Sequence, residues 1–440
     1  MRPVYFLLKF ILGYSLRVVH AKHKKVNVPK TFFTRTIFAS NHPSAFLDPL
    51  VISVRQYPVI HFMTRADIYK GFIKFVFWNV HMIPIFRGHD GNDSAEKNKE
   101  VFDMCYNEVR KGKGLIVFAE GFTDDVFIRR LKPLKKGSVK IGFHICEKMN
   151  WKKKIYIQPT GLNYTHPQKF RSSVLISYGK RICLNDYKAD YLENPAKVIN
   201  ELTKLIEQGI QDQITHVENK DWAPFHENIM KLTRKGMNNE CYDASLSLKK
   251  RWEYSKNLAS WLNQQDEQNE ALLQLKSNLE NYFSTLKRNK MQENDVLEFS
   301  KKHKISLFKQ YVSLIVGFPF LILGFLHAAP VYFWLKPFVE KTFRRDVFWS
   351  GVKMVGGIAL AGFYNLVFIF LFHAFVYPSW TLALLYYFTV PLFGFLVMRN
   401  WFVQKRELAR KKVLTNFDFK PIIAERKQLL EEIQNTVPVA

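Results

Sequence analysis

Cysteine is scarce in this 440-residue chain, and the four that occur are widely separated. Cys105, Cys146, Cys183 and Cys241 form no Cys-x-x-Cys pair and no cluster with histidine. This spacing argues against a zinc site and a disulfide framework, and it is typical of a protein whose soluble part lies in a reducing, cytosolic compartment. We therefore expect no metal site.

Acidic residues are also few, because 38 aspartates and glutamates stand against 65 lysines and arginines and leave a net charge of +27. A charge of this size favours an anionic partner or surface. Nucleic acid and the anionic leaflet of a bilayer are the two candidates. No recognised nucleic-acid motif occurs, and the basic clusters adjoin apolar segments, so the bilayer is favoured.

Long charge-free apolar runs are missing until residue 311, after which three follow at 311–335, 354–377 and 379–398. Each is long enough to cross a hydrocarbon core of about 30 Å. Basic residues flank every end of these runs except the junction between the last two. The positive-inside tendency therefore predicts that the last two runs form a transmembrane hairpin with its tip outside.

The first run differs, because Pro319 and Pro330 interrupt it and basic residues flank both of its ends. We expect it to form a re-entrant or interfacial segment. A plain three-span arrangement is the alternative. Either way, residues 306–400 are predicted to be a membrane region, followed at 401–440 by a basic cytosolic helical tail.

Two further regions are predicted to be helical. Residues 3–19 are apolar but contain Lys9 and Arg17, and a basic cluster follows them. This pattern favours a helix lying in the membrane interface, within an N-terminal region at 1–30, over a signal peptide or a full span. Residues 216–305 are polar and carry leucines at helical spacing, which predicts a helical connector.

Between these regions, residues 31–215 alternate short runs rich in β-branched and aromatic residues with amphipathic stretches. The runs predict strands and the stretches predict helices. Strands are expected at 35–39, 61–64, 83–86, 115–118, 155–157 and 174–177. The alternation predicts an α/β domain, a layered sheet with flanking helices.

The first chemical signal is His42, which follows a predicted strand and precedes Asp48 by six positions. Strand ends in α/β sheets present catalytic side chains. Histidine accepts a proton near neutral pH, and a carboxylate beside it fixes its tautomer. The spacing alone is weak, because 38 acidic residues among 440 give 13 histidines about one such pair by chance.

Four segments follow the Asn41-His42 motif in a fixed order. They are Ile83-Pro-Ile-Phe-Arg-Gly88, Phe118-Ala-Glu-Gly-Phe-Thr123, Leu131-Lys-Pro-Leu-Lys-Lys-Gly137 and Ile157-Gln-Pro-Thr-Gly-Leu-Asn-Tyr164. Together they resemble the blocks of the glycerol-3-phosphate/1-acylglycerol-3-phosphate (lysophosphatidate) acyltransferase superfamily, over roughly residues 35–180. The resemblance implies an α/β acyltransferase domain in the predicted 31–215 region.

The resemblance also implies roles for the matching residues. His42 is expected to be the catalytic base and Asp48 its partner. Arg87 is expected to hold a phosphate, which suits the planar fork of a guanidinium, and Pro159 to shape the acyl-donor side. The expected substrate-binding residues are Arg87, Glu120, Gly121, Thr123, Lys135 and Pro159.

Three positions depart from the usual pattern of the superfamily. Five residues separate His42 from Asp48 where four are usual, and some glycerol-3-phosphate acyltransferase branches have this longer spacing. Ala119 stands where proline is usual, and Asp124-Asp125 where an arginine would follow Thr123. The basic residues left to contact a phosphate there are Arg129, Arg130, Lys135 and Lys136.

These features predict an integral membrane O-acyltransferase of phospholipid biosynthesis with its catalytic domain on the cytosolic face, in a bacterial inner membrane or an endoplasmic reticulum equivalent. An acyl thioester, acyl-CoA or acyl-carrier protein, is the expected donor, and no bound cofactor is expected. Glycerol-3-phosphate and 1-acyl-glycerol-3-phosphate are both candidate acceptors, with membrane lipids as partners and no nucleic acid. Another lysolipid acceptor and a non-catalytic membrane lipid-binding protein are the alternatives.

Overall fold

The computed structural model of the protein describes residues 3–30, 33–54, 56–57, 59–66, 71–86, 94–121 and 123–438. The chain divides into two compact units. The first comprises residues 1–226 and 235–265, and the second comprises 227–234 and 266–438.

Eight strands, counted over the described residues, form one sheet in the first unit. They are β1 (His20–Val26), β2 (Thr36–Ser40), β3 (Ile60–Arg65), β4 (Met82–Ile85), β5 (Gly114–Phe118), β6 (Tyr156–Tyr164), β7 (Ser172–Tyr178) and β8 (Ile182–Cys183). The order is β1-β7-β6-β2-β5-β3-β4, with β8 beside β6. Strands β2 to β6 run parallel to one another, whereas β7 and β8 run antiparallel to β6. All six predicted strands are confirmed.

The sequence did not reveal two strands, the short β8 and the seven-residue β1. The basic cluster at the start of β1 was expected to follow an interfacial helix, but it pairs in parallel with β7 at the edge of the sheet. Edge strands tolerate charged side chains, because one side of the strand stays in water. The predicted N-terminal region at 1–30 is therefore only partly helical, and its second half belongs to the α/β domain.

Helices flank this sheet. They are α1 (Pro3–Val19), α2 (Leu47–Ser53), α3 (Gly71–Asn79), α4 (Ser94–Val109), α5 (Gly137–Lys148), α6 (Lys188–Glu193), α7 (Pro195–Gln211) and α9 (Leu248–Leu262). Helix α8 (Ala223–Thr233) begins in the first unit and ends in the second. Val101 of α4, Phe143 of α5 and Leu202 of α7 share one apolar core with Ile37 and Ile157 of the sheet. Helix α7 begins as its sequence predicts, with the Asn194 side chain accepting a hydrogen bond from the Lys197 amide.

The predicted connector at 216–305 is not a unit of its own. Its residues 235–265 belong to the first unit, whereas 266–305 belong to the second. Trp252 of α9 packs against Val26 of β1 and Leu175 of β7 in a small apolar core. The sequence shows that α9 has an apolar face, but not which surface that face covers.

The second unit is helical. Its helices are α10 (Glu270–Arg288), α11 (Glu293–Lys302), α12 (Phe308–Gly317), α13 (Leu321–His327), α14 (Ala329–Thr342), α15 (Trp349–Leu371), α16 (Trp380–Leu414) and α17 (Lys420–Thr436). The segments Asp346–Val376 and Trp380–Leu414 are long and apolar enough to cross a membrane. Helix α16 runs past the predicted boundary at residue 400, because the basic sequence that follows contains no glycine or proline to end it.

The first apolar run is broken where its prolines predict. Helices α12 and α13 are bent by 59° at the break that contains Pro319, and α14 begins with Pro330 in its first turn. A buried polar cluster ties α13 to the two long helices: His327 Nδ1 lies 2.6 Å from Asn365 Oδ1, and its Nε2 lies 2.7 Å from the Tyr386 hydroxyl. Such pairing satisfies polar groups that would be costly to leave unpaired in an apolar region.

Candidate active site

The sheet places the segment that carries His42 beside the segment that carries Glu120. His42 lies two residues after β2, and Glu120 lies two residues after its parallel neighbour β5, with Ser40 paired to Phe118 in register. On the other side of β2, Ser40 pairs with Thr160, and β6 continues four residues further to Tyr164. Because these strands are parallel, the loop that carries His42 lies between the segment after β5 and the end of β6.

The His42 and Asp48 side chains form a hydrogen-bonded pair. His42 Nδ1 lies 2.8 Å from Asp48 Oδ2, and the Asp48 side chain is fully buried, whereas that of His42 is 20% exposed. The same Oδ2 accepts the Ser44 amide at 2.8 Å. An ionised carboxylate only accepts hydrogen bonds, so Nδ1 carries the proton and Nε2 is left with a free lone pair.

The loop around His42 is fixed to both neighbouring strands. The Asn41 side chain donates to the Leu162 carbonyl at 3.0 Å and accepts from the Leu162 amide at 2.8 Å. The imidazole of His42 stacks on the ring of Phe118, with centroids 4.0 Å apart and an interplanar angle of 13°. These contacts hold the imidazole in one orientation before any substrate binds.

A solvent-open cleft of about 480 Å³ lies beside His42. Its wall includes Glu120, Thr123, Arg130 and Lys132. Burial raises the pKa of Glu120 to about 7, although the Lys132 ammonium group 3.6 Å away opposes this rise. Near neutral pH, Glu120 is therefore present in both protonation states and can either donate or accept a hydrogen bond.

A family model described as Acyltransferase matches residues 20–163, which run from β1 into β6 and include the His42–Asp48 pair. The chain therefore contains an acyltransferase domain. Among solved structures, the 1-acyl-sn-glycerophosphate (LPA) acyltransferase PlsC from Thermotoga maritima is similar over 47% of this chain and 79% of that one, with 16% identity and a TM-score of 0.32. A search of curated proteins gave no match.

Three of the residues predicted from the sequence, His42, Glu120 and Thr123, line the cleft. Thr123 is buried in its wall, and the side chain of Lys135 lies over Gly121. Pro159 is not among the lining residues, because its ring packs against Gly209 of α7. Arg87 lies outside the described residues, so its expected phosphate contact stays a prediction.

The four basic residues expected to replace the missing arginine fall into three groups. Arg129 is buried, and its guanidinium donates to the carbonyls of Tyr164, Thr165 and Met237. Arg129 and Arg130 both line the cleft, but the Arg129 guanidinium already donates to these carbonyls, whereas Lys135 and Lys136 are exposed and are not among the lining residues. Arg130 is therefore the one of the four that is best placed to meet an anionic substrate.

Sequence reasoning did not assign a role to four residues that shape the acyltransferase site: Asn41, Phe118, Lys132 and Tyr164. Two of them, Phe118 and Tyr164, are apolar or weakly polar residues at strand ends, where no pattern separates them from the core. Lys132 lies among other basic residues in the sequence, and only the structure shows that its ammonium group is 3.6 Å from Glu120. Asn41 belongs to the Asn-His motif, but the sequence does not show that its side chain pairs with the backbone of Leu162.

Among the described residues, no group of three or more histidine, cysteine, aspartate or glutamate side chains is arranged to hold a metal ion. All four cysteines are free thiols. The His42–Asp48 pair offers a proton acceptor at the cleft, and the wall offers charged and polar contacts.

Substitution of Gly121 tests the backbone conformation next to Glu120. Its φ is +80°, and a Cβ there would lie 2.9 Å from the end of the Lys135 side chain. Gly121→Ala is expected to cost roughly 1–2 kcal/mol in backbone strain, to displace Lys135 and to reduce activity. Gly112→Ala is the matched control, because Gly112 has a φ of +86° and open space around it. Equal losses of unfolding temperature and activity in both variants would contradict this account.

Proposed function

We propose that the protein transfers a fatty acyl group from an acyl thioester to a hydroxyl of glycerol-3-phosphate or 1-acyl-glycerol-3-phosphate at a membrane, in phospholipid biosynthesis. The observation that carries this proposal is the His42–Asp48 pair at the mouth of the cleft, held at 2.8 Å with Nε2 of His42 available. The order of the motifs around it supports the glycerol-phosphate class of acceptor.

The His42–Asp48 pair supplies the proton transfer that acyl transfer needs. A glycerol hydroxyl is a weak nucleophile, so His42 Nε2 takes its proton as the oxygen attacks the thioester carbonyl. The new C–O bond forms, the C–S bond breaks, and the imidazolium returns the proton to the leaving thiolate. Asp48 stabilises the imidazolium while it exists. A thioester is already activated, so no covalent acyl-enzyme is required.

The basic wall of the cleft suits a phosphate on the acceptor. Arg130 lines the cleft, and no carboxylate in the described residues lies within ion-pair distance of its guanidinium. A guanidinium binds phosphate through paired charged hydrogen bonds. Holding the phosphate there would bring the acceptor hydroxyl near His42 and orient it for attack on the thioester.

The test is acyl transfer by the purified full-length protein. Radiolabelled acyl-CoA and acyl-carrier protein are each supplied as donor with glycerol-3-phosphate, 1-acyl-glycerol-3-phosphate or a neutral or zwitterionic lysolipid as acceptor. Transfer to one of the two glycerol phosphates supports the proposal and identifies the donor. Transfer only to another lysolipid would favour the alternative acceptor, and binding of lipid without any transfer would favour a non-catalytic lipid-binding protein.

We also propose that the two long apolar helices form a transmembrane hairpin and that the bent α12–α13 pair re-enters the membrane without crossing it. Lysines precede α12, and Lys336, Lys341, Arg344 and Arg345 lie in or just after α14. Both basic groups are then on the inner side, as the positive-inside tendency favours. The catalytic domain would face the cytosol.

Cysteine accessibility measures this arrangement. Single cysteines at Lys304, Lys341 and Tyr377, in a background without the native cysteines, are treated with an impermeant thiol reagent on sealed cells. All three side chains are exposed in the structure. We expect only the cysteine at position 377 to react before the membrane is opened. Reaction at position 341 but not at 304 would instead establish that the bent pair crosses the bilayer.

A further inference from the structure

Tyr164 is the last residue of β6, and its side chain is completely buried. Its hydroxyl donates a hydrogen bond to Asp48 Oδ1 at 2.8 Å. The other carboxylate oxygen, Oδ2, is shared by the His42 imidazole and the Ser44 amide. Both oxygens of this fully buried carboxylate therefore have donors, and Tyr164 supplies the one for the oxygen that faces away from the histidine.

The Tyr164 hydroxyl remains a donor at any pH at which the protein works. Burial and the neighbouring Asp48 carboxylate raise the pKa of Tyr164 well above its ordinary value. The phenol does not ionise, so Asp48 is never placed beside a second anion on this side. Among the described residues, the charged or ionisable groups near the pair include Glu120, whose pKa the Asp48 charge raises, and His20, whose ring centroid lies 5.8 Å from that of Tyr164. Lys132 lies beside Glu120, and Arg129 contacts the Tyr164 carbonyl.

The backbone of Tyr164 is held by Arg129, which also contacts a loop that lies outside the matched residues 20–163. Arg129 Nη1 donates to the Tyr164 carbonyl at 2.7 Å, and Nη2 donates to the carbonyls of Thr165 and Met237. Arg251 of α9 fixes the same loop, because its guanidinium donates to the carbonyls of Gly236 and Asn238. The segment that ends in α9 therefore braces the end of β6 where Tyr164 lies.

We propose that Tyr164 is a positioning residue for acyl transfer, which orients the Asp48 carboxylate towards His42 through its hydroxyl and is braced by Arg129 and the residue 236–238 loop. This inference rests on the proposed function of the His42–Asp48 pair. The loop and α9 lie beyond residues 20–163, so they add to the acyltransferase domain a support for its catalytic pair.

The proposal has a consequence that a purely structural role would not have. A hydrogen bond donated to a carboxylate lowers its proton affinity, so loss of the Tyr164 hydroxyl raises the proton affinity of the coupled His42–Asp48 pair. The acidic limb of the pH–rate profile then moves to higher pH. Loss of a hydrogen bond to a charged group also lowers kcat by roughly 10- to 100-fold, with little change in KM, because the Tyr164 side chain is fully buried.

The experiment compares Tyr164→Phe with Tyr178→Phe in the full-length protein. Tyr178 is a matched control, because it is also buried in the sheet but its hydroxyl has no hydrogen-bond partner among the described residues. We expect the Tyr164→Phe variant alone to lose kcat and to shift the acidic limb upward. Unchanged kcat and an unchanged acidic limb in Tyr164→Phe would overturn the proposal and leave the proposed function standing.

Two further measurements cover the remaining outcomes. If Tyr164→Phe does not fold, 3-fluorotyrosine is placed at position 164, where its more acidic phenol is a stronger donor. We then expect the acidic limb to move to lower pH, and no movement would overturn the proposal. Absence of acyl transfer in the unaltered protein, with every donor and acceptor, would overturn the proposed function and this inference with it.

Discussion

His42→Ala is expected to lower the rate of acyl transfer by roughly 10²–10⁴-fold, because it removes the base that takes the proton from the acceptor hydroxyl. The effect falls on kcat, since the wall of the cleft and its basic residues remain. Measurement of initial rates with saturating donor and acceptor, beside far-ultraviolet circular dichroism of the same sample, separates lost chemistry from lost fold.

A second histidine–carboxylate pair provides the control for this variant. His144 Nε2 lies 2.8 Å from Asp103 Oδ1 between α5 and α4, with both side chains partly exposed and neither lining the cleft. His144→Ala removes an imidazole from an equally short pair, and we expect it to keep its activity. Full activity in His42→Ala would exclude the proposed mechanism. Equal losses in the two variants would assign the effect to general destabilisation.

Asp48→Asn is expected to lower kcat by roughly 10²–10⁴-fold while preserving the geometry of the loop. The amide oxygen replaces Oδ2, because the Ser44 amide and His42 Nδ1 are both donors that need an acceptor there. The amide nitrogen then faces the Tyr164 oxygen, which can accept a hydrogen bond. The histidine tautomer is retained, so the loss reports the missing negative charge beside the imidazolium.

The unfolding temperature of Asp48→Asn decides whether this interpretation holds. We expect it to stay close to that of the unaltered protein, whereas Asp48→Ala leaves the Ser44 amide and the Tyr164 hydroxyl buried without partners and is expected to be less stable. Adding His42→Ala to Asp48→Asn should cause little further loss, because the two residues act as a unit. Independent, multiplicative losses would show that Asp48 does not work through His42.

The strands of the sheet and the long apolar helices are predictable from local pattern. Runs of β-branched and aromatic residues mark β2 to β7, and the charge-free runs mark α15 and α16, because both signals depend only on near neighbours in the chain. Pro319 predicts the break between α12 and α13 for the same reason. Strand β1 was missed because its lysines and histidines have no strand-like apolar pattern.

The candidate site is predictable only in part. His42, Asp48 and Glu120 carry recognisable chemistry and stand in ordered motifs, so the sequence singles them out. Tyr164 does not stand out, since a tyrosine at the end of an apolar run reads as a core residue. Tyr164 is 116 positions from Asp48 in the chain, yet in the structure its hydroxyl lies 2.8 Å from the Asp48 carboxylate.

By itself, the sequence therefore singled out a histidine with a carboxylate partner, an ordered set of acyltransferase motifs, and a pair of helices suited to a membrane. The tertiary structure decided how the base is supported. Strand register places the Tyr164 hydroxyl against Asp48. Helix α9, which was predicted to be part of a connector, packs on β1 and β7 and supports the end of the sheet where Tyr164 lies. Register and packing depend on contacts between distant segments, which no local pattern records.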